Sequence, residues 1–392
     1  MDEFLKTICG VFALEGVYLG NEVIKCGNIN DTYRMDLRTD SGLKSYIVQR
    51  INHNVFRHPE RIISNVCAVT EHIARKLEQA HDRDIGRKVL KLYVTTEGKH
   101  LYISPDGDYW RVMNFIYNAE SHDRGGVRLL HKTGEAFGTF QSQLSDFPAE
   151  KLYETIPDFH DTEKRFDALE QSARADAVKR LDDCRGELAY LLSMRDRAPF
   201  FKQAYARGEI PMRVTHNDTK CNNVMFDKDT KEPLAVIDLD TVMPGFTAYD
   251  YGDAVRFAAN TAAEDEPDVS KVSLDLRLCG AFTDGFVGKI RDHLRREEVN
   301  TLPDGLLLIT LELAARFLTD YLDGDRYFKI RTIILYARAI RLHWRRISAG
   351  KWTICAKLSR SRRRSVGNGV EKKMKTVQNI FKILLTFHLN RV

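Results

Sequence analysis

Between Val214 and Thr241, six polar side chains are spaced so that a hairpin would gather them: His216, Asp218, Asn222, Asn223, Asp238 and Asp240. Two short apolar runs, Asn223-Val-Met-Phe and Leu234-Ala-Val-Ile, flank the charged turn Asp227-Lys-Asp-Thr-Lys-Glu-Pro, which is a hairpin signal. The pattern His216-x-Asp218-x-x-x-x-Asn223, with Asp238 after the next run, has the layout of a phosphoryl-transfer loop and its metal site. That chemistry asks for a carboxylate to orient the attacking hydroxyl and take its proton, and for oxygen ligands to hold Mg²⁺ on the phosphates. Asp218 suits the first role; Asn223 and Asp238 suit the second. His216 suits a brace for the loop better than a proton carrier, and Asp240 is left unassigned, a candidate metal partner or a support behind the metal ligands. The competing reading is that Asp and Asn only cap turns here. Two carboxylates and an amide at this spacing, joined by a hairpin, favour the chemical reading.

The chain must supply elements to position that hairpin, and its 392 residues suffice for one two-lobed domain or two domains. Seven scattered cysteines without a C-x-x-C argue for reduced thiols, against a disulfide framework and against a zinc site. No signal peptide is expected at the start, and no run approaches 18 uncharged apolar residues, so no membrane span is expected. The net charge of +5 hides an asymmetry. Residues 331–392 carry 16 Lys/Arg against one acid, Glu371, or +15, which leaves 44 basic and 54 acidic residues, or −10, for residues 1–330. The tail, with Ser359-Arg-Ser-Arg-Arg-Arg-Ser, is expected to make at most nonspecific electrostatic contact with nucleic acid or anionic lipid.

A short helix is expected over 3–15, then strands over 22–26, 32–38 and 46–51. Pro59 opens a helix whose Ile62, Val66, Val69, Ile73 and Leu77 share one face. Strands follow over 89–95, 99–103 and 109–116. From Leu130 the pattern is helical, with the hairpin as the only clear strands and two last helices over about 269–296 and 304–323. The expected divisions are 1–118, 119–330 and 331–392. No G-x-x-x-x-G-K-[ST] occurs, so a P-loop is excluded. The turn Gly27-Asn28-Ile29-Asn30 lies between the first two strands, where a kinase-like fold covers nucleotide phosphates, although it has a single glycine. The third strand carries Gln49-Arg50 in place of a lysine, so Arg50 is the candidate cation there, with Glu60 or Glu71 as its candidate partner.

These stretches resemble the aminoglycoside phosphotransferase/choline kinase superfamily and, within it, the N-acetylhexosamine 1-kinases. The resemblance runs over about residues 10–330. It rests on Gly27-Asn-Ile-Asn-Asp-Thr-Tyr, Tyr46-Ile-Val-Gln-Arg-Ile, Trp110-Arg-Val-Met-Asn-Phe-Ile and Thr215-His-Asn-Asp-Thr-Lys-Cys-Asn-Asn-Val-Met-Phe-Asp. Val236-Ile-Asp-Leu-Asp-Thr-Val-Met-Pro-Gly, Tyr249-Asp-Tyr-Gly-Asp and Arg316-Phe-Leu-Thr-Asp-Tyr-Leu extend it. It implies an α+β, two-lobed protein-kinase-like fold, with a small antiparallel-sheet N-lobe and a mostly helical C-lobe. It further implies a cytoplasmic, monomeric kinase that phosphorylates the anomeric hydroxyl of GlcNAc or GalNAc, with ATP as co-substrate and Mg²⁺ as cofactor. Asp218 would contact the acceptor as base, with His216 beside it, and Asn223 and Asp238 would hold the metal. Gly27, Asn28, Asn30 and Arg50 would lie at the phosphates, and Met113 and Asn114 in the hinge beside adenine. Arg316 and Tyr327 would contact the sugar, although Arg316 also has a possible helical partner in Glu312. Asp250 and Asp253 are expected to stabilise the C-lobe. The same superfamily allows an aminoglycoside, choline or a hydroxyamino acid as acceptor. A reading from another class is an inactive kinase fold that acts as an adaptor through its basic tail.

Overall fold

Period-two alternation along residues 31–39 sends Met35 and Leu37 to one buried face, and the cross-strand neighbours Tyr46, Val48, Trp110 and Val112 join them. The computed structural model describes residues 1–24, 29–260 and 274–328. Gly27, Asn28 and the basic tail therefore lie outside the described residues. The N-terminal part begins with helix α1 (Asp2–Val11) and strands β1 (Val17–Val23), β2 (Asp31–Thr39) and β3 (Gly42–Ile51). It continues with α2 (Pro59–Gln79), a single-turn α3 (Ile85–Lys88), β4 (Tyr102–Ile103) and β5 (Tyr109–Asn114). The five strands form one antiparallel sheet in the order β1-β2-β3-β5-β4. Leu5, Ile8 and Phe12 of α1 and its C-terminal cap close one face.

The other face packs on α2, where Pro59 at the first turn starts the helix. Its Ile62, Val66, Val69 and Ile73 are buried, each contributing about 1.5–3 kcal/mol on an area basis. The same apolar cluster runs on into Val214, Leu239 and Val242 of the second lobe. Asn65 of α2 reinforces the junction. It donates to Tyr153 O and Val242 O at 2.7 and 2.9 Å and accepts from Tyr153 N.

The second part holds β6 (Ala119–Glu120), α4 (Val127–Gln143), α5 (Thr162–Ala175), α6 (Leu181–Leu192) and α7 (Phe200–Ala206). After these come β7 (Arg213–Thr215), β8 (Val224–Asp227), β9 (Pro233–Val236) and β10 (Met243–Gly245). Helices α8 (Thr247–Ala258), α9 (Leu276–Ile290) and α10 (Arg296–Asp323) complete it. The mixed α+β character, with its sheet in the N-terminal part and helices after it, is the expected one. Helices α8 and α10 cross with almost no spacing, because Gly252 and Gly305 face each other's backbones. A Cβ on Gly305 would come within 1.9 Å of Ala248 O. This crossing seats α8 under the loop that follows β7.

Several expectations change. Residues 89–95 run beside β5 with a single bridge, Leu92 to Met113, instead of a regular strand, and 99–103 contributes only Tyr102–Ile103. The hairpin is not the only strand pair after residue 130: β7 pairs antiparallel with β10, and β6 adds to the hairpin edge. Helix α10 starts at Arg296 and carries Pro303 inside it. Glu298 makes the earlier start stable, accepting from Arg295 N at 2.9 Å as a capping contact and pairing with Arg213 at 2.6 Å.

Candidate active site

Strands β7 and β10 form the gate through which the loop 216–223 enters. Thr215 Oγ1 donates to Met243 O at 3.0 Å, fixing the last strand residue before the loop. His216 is fully buried between Phe137 and Phe140. Its Nε2 lies 2.9 Å from Ile237 O, and its Nδ1 accepts from Asp218 N at 3.2 Å. A carbonyl on one nitrogen and an amide N–H on the other define a neutral ring protonated at Nε2, with both nitrogens engaged. Both ring contacts of His216 tie the loop to Ile237 at the end of the hairpin and to the Asp218 amide.

The loop amides are satisfied by α8. Asp250 accepts from His216 N at 2.9 Å, from Asn217 N at 2.8 Å and from Gln141. Asp253 accepts from Thr219 N at 3.0 Å and pairs with Arg256. Asn217 adopts a left-handed backbone (φ 65°), which turns the chain so that Asp218 emerges. Asp250 and Asp253 therefore shape the loop from beneath, as the sequence leads one to expect.

Asp218 is partly exposed. Its Oδ1 lies 2.8 Å from Lys220 Nζ, and its Oδ2 receives Asn223 Nδ2 at 3.3 Å. Asn223 Nδ2 also donates to Asp218 O at 2.8 Å, so the amide nitrogen is spent on the loop. Its Oδ1 accepts no hydrogen bond among the described residues. Beyond the hairpin, Asp238 also takes a left-handed conformation (φ 59°) and opens to the cleft. Protein closes round it on its other sides. That desolvation, followed by the charges of Asp240 and Asp218, raises its carboxyl to about 6. An amide oxygen and a strained, crowded carboxylate are hard oxygen donors in a field that favours a cation, which fits Mg²⁺. No group of three His, Cys, Asp or Glu ligands occurs among the described residues, so any such ion would need phosphate or water oxygens as well.

Arg50 requires correction. It lies on the face of β3 opposite Gln49, paired with Asp31 and with Asp108 at 3.0 Å, while Glu60 meets His58. The cation that reaches Asp240, just past the hairpin, is Arg111 of β5. It is 3% exposed and pairs with Asp240 at 2.6 Å. Its Nε and Nη2 donate to Gln49 Oε1 at 3.0 and 2.6 Å. Asn30 reaches the same carboxylate, its Nδ2 lying 2.7 Å from Asp240 Oδ2. Met113 is buried in β5. The Asn114 amide donates to Lys91 O and its side chain binds Lys91 N and Gly86 O, so its polar groups are committed to the 86–91 segment.

Arg316 and Tyr327 do come together. The guanidinium lies over the Tyr327 ring at 5.8 Å and over Phe328 at 5.5 Å. It does not pair with Glu312, whose carboxylate sits 3.2 Å from His160 Nδ1. Among the described residues Arg316 has no carboxylate or carbonyl partner. His160 was not singled out by sequence; its ring lies tilted against that of Tyr249 at 5.0 Å. Tyr249 precedes Asp250, whose carboxylate holds the loop amides, so the His160–Glu312 pair sits beside the helix that supports the loop.

A family model described as the phosphotransferase enzyme family matches residues 22–273. The chain also superposes on an aminoglycoside phosphotransferase from Alicyclobacillus acidocaldarius at TM-score 0.58 and 11% identity, covering 89% of this chain and 96% of that one. A choline kinase from Cryptosporidium parvum matches at TM-score 0.54 and 12% identity, over 91% and 99% of the two chains. A microcompartment-associated aminopropanol kinase matches at 0.52 and 14%, over 88% and 98%.

Proposed function

Because the chain belongs to the phosphotransferase enzyme family, we propose that it transfers the γ-phosphoryl group of ATP to the anomeric hydroxyl of an N-acetylhexosamine, GlcNAc or GalNAc, giving the sugar 1-phosphate. The observation that carries the acceptor class is the charge balance beside the loop. Asp161 is held by Lys202, Asp158 by Lys164 and Asp253 by Arg256, Asp320 accepts from the amides of Arg326, Tyr327 and Phe328, and Glu312 lies 3.2 Å from His160, while Arg316 has no anionic partner among the described residues. A quaternary ammonium or polyamino acceptor would need a free carboxylate or an electron-rich cage with no cation in it. A neutral sugar with hydroxyl and acyl oxygens suits a free guanidinium.

In this reading Asp218 Oδ2 takes the proton of the acceptor hydroxyl, while Lys220 holds Oδ1. The hydroxyl oxygen forms a bond to the γ-phosphorus as the bond to the bridging oxygen breaks, and ADP leaves. Asn223 and Asp238 would hold Mg²⁺, which when bound neutralises charge on the phosphates. Asn30 lies at the phosphate end and Met113 near adenine, while Arg316 and Tyr327 orient the sugar. The enzyme is taken to be a cytoplasmic monomer; no helix of the described residues is long and apolar enough to cross a membrane. The test is an ATP-consumption assay over GlcNAc, GalNAc, glucose, choline and kanamycin. Turnover with GlcNAc or GalNAc above the rest is expected. Preference for choline or kanamycin would overturn the acceptor assignment.

A further inference from the structure

The buried Arg111–Asp240 pair lies beside the phosphoryl-transfer machinery, yet the mechanism above does not use it. Arg111 comes from the N-terminal sheet. Asp240 sits in the single 3-10 turn Leu239–Thr241 that follows Asp238. Both side chains are almost inaccessible, at 3% and 2% exposure. Hydrogen bonds on either side of this ion pair extend it into the neighbouring strands and turn. Thr32 Oγ1 of β2 accepts from Gln49 Nε2 at 2.9 Å, and Gln49 Oε1 accepts the Arg111 fork. Arg111 Nη1 meets Asp240 Oδ1, and Asp240 Oδ2 accepts from Asn30. Asn30 Oδ1 in turn accepts from Asn52 N at 3.0 Å, just beyond β3.

Both oxygens of Asp240 are therefore taken up by groups of the N-terminal sheet and its first turn. The segment carrying Asp238 is tied to that sheet at two points, two residues from the metal-facing carboxylate. In protein kinases a strand lysine paired with a helix glutamate sets the nucleotide phosphates against the metal-binding Asp. Here the strand-three cation pairs with Asp31 and Asp108, and no such pair forms among the described residues.

We propose that Arg111 is a positioning residue which, through Asp240, fixes Asn30 and the N-terminal sheet against the Asp238 metal position and so sets affinity for the metal–nucleotide complex. This rests on the nucleotide and metal assignment above but not on the acceptor. Its test is accordingly MgADP binding by calorimetry, with no acceptor present. Asn30→Ala removes one tie without leaving a buried charge and should weaken MgADP by about tenfold, with the thermal midpoint unchanged. Arg111→Met and Asp240→Asn should each weaken it by about tenfold or more, and the double variant should be no weaker than the worse single, because all three break one connection. Should Arg111→Met fail to fold, the double variant and Asn30→Ala decide. MgADP affinity within about twofold of wild type in Asn30→Ala, or losses in the double variant that multiply, would overturn the proposal. Failure of the acceptor assay together with intact MgADP coupling would indict only the sugar assignment.

Discussion

On the wall built by the 216–223 loop and the turn after β9, the carboxylates Asp218, Asp238 and Asp240 outnumber the cations Lys220 and Arg111. On the neighbouring surface, where α5 and α10 meet, the balance is reversed. Asp161 and Glu163 are paired with Lys202 and Asp158 with Lys164, Asp320 is held by backbone amides, Arg316 has no anionic partner among the described residues, and Arg165 lies near enough for the two guanidiniums to repel. The two regions are packed from the same kinds of side chain, yet one is left wanting a cation and the other wanting oxygen acceptors. Charge left over after folding is a better guide to ligand type than the residue inventory, because paired charges are already neutralised.

The difference can be broken most severely on the acidic wall. Asp238→Ala should abolish Mg²⁺-dependent turnover, measured as ATP consumption at saturating metal. Unchanged activity would place the metal elsewhere. Asp218→Asn should keep the fold and lower turnover by about 10²–10⁴, the usual range for a lost general base. Wild-type turnover in that variant would remove Asp218 from the mechanism. A smaller effect is expected on the cationic surface. Arg316→Met should raise the acceptor KM by about 10–100-fold, the worth of a charged hydrogen bond, with the KM for ATP unmoved. If the ATP KM rose instead, the guanidinium would belong to the nucleotide side and the contrast between the walls would fail.

The acidic wall was readable because its members are local. Asp218 and Asn223 are five residues apart, and a short turn closes the hairpin that brings in Asp238. The alternation and helical periodicity of β2 and α2 were readable for the same reason. Arg50 was misread because the face of a strand residue depends on register, and a shift of one position exchanges the two faces. Gln49 faces the cleft while its neighbour Arg50 meets Asp31 across the strand. Arg111 stood inside a recognised stretch, but its role required the pairing of β3 with β5 and the approach of Asp240, 129 positions later. The His160–Glu312 contact spans 152 positions and has no local signal at all. Strands β7 and β10 are three residues each, too short for a pattern, and exist because they pair with each other.

The mildest probe of the contrast needs no turnover. Desolvation, followed by the charges of Asp240 and Asp218, raises the Asp238 carboxyl from 3.8 to about 6. A carboxyl raised on folding means that the folded chain holds this proton more tightly than the unfolded chain does. Its contribution favours the folded state at low pH and is lost as pH rises from the ordinary value through about 6. A bound divalent ion requires the deprotonated group, so it should restore stability above that pH and have little effect below it. The measurement is the thermal midpoint of wild type minus that of Asp238→Asn between pH 5 and 7.5, with and without Mg²⁺. The difference should fall with rising pH in the metal-free protein and recover when Mg²⁺ is added. A difference that stays flat with pH would mean that neither burial nor the neighbouring carboxylates raise the Asp238 carboxyl. The acidic wall would then have no surplus charge to set against Arg316.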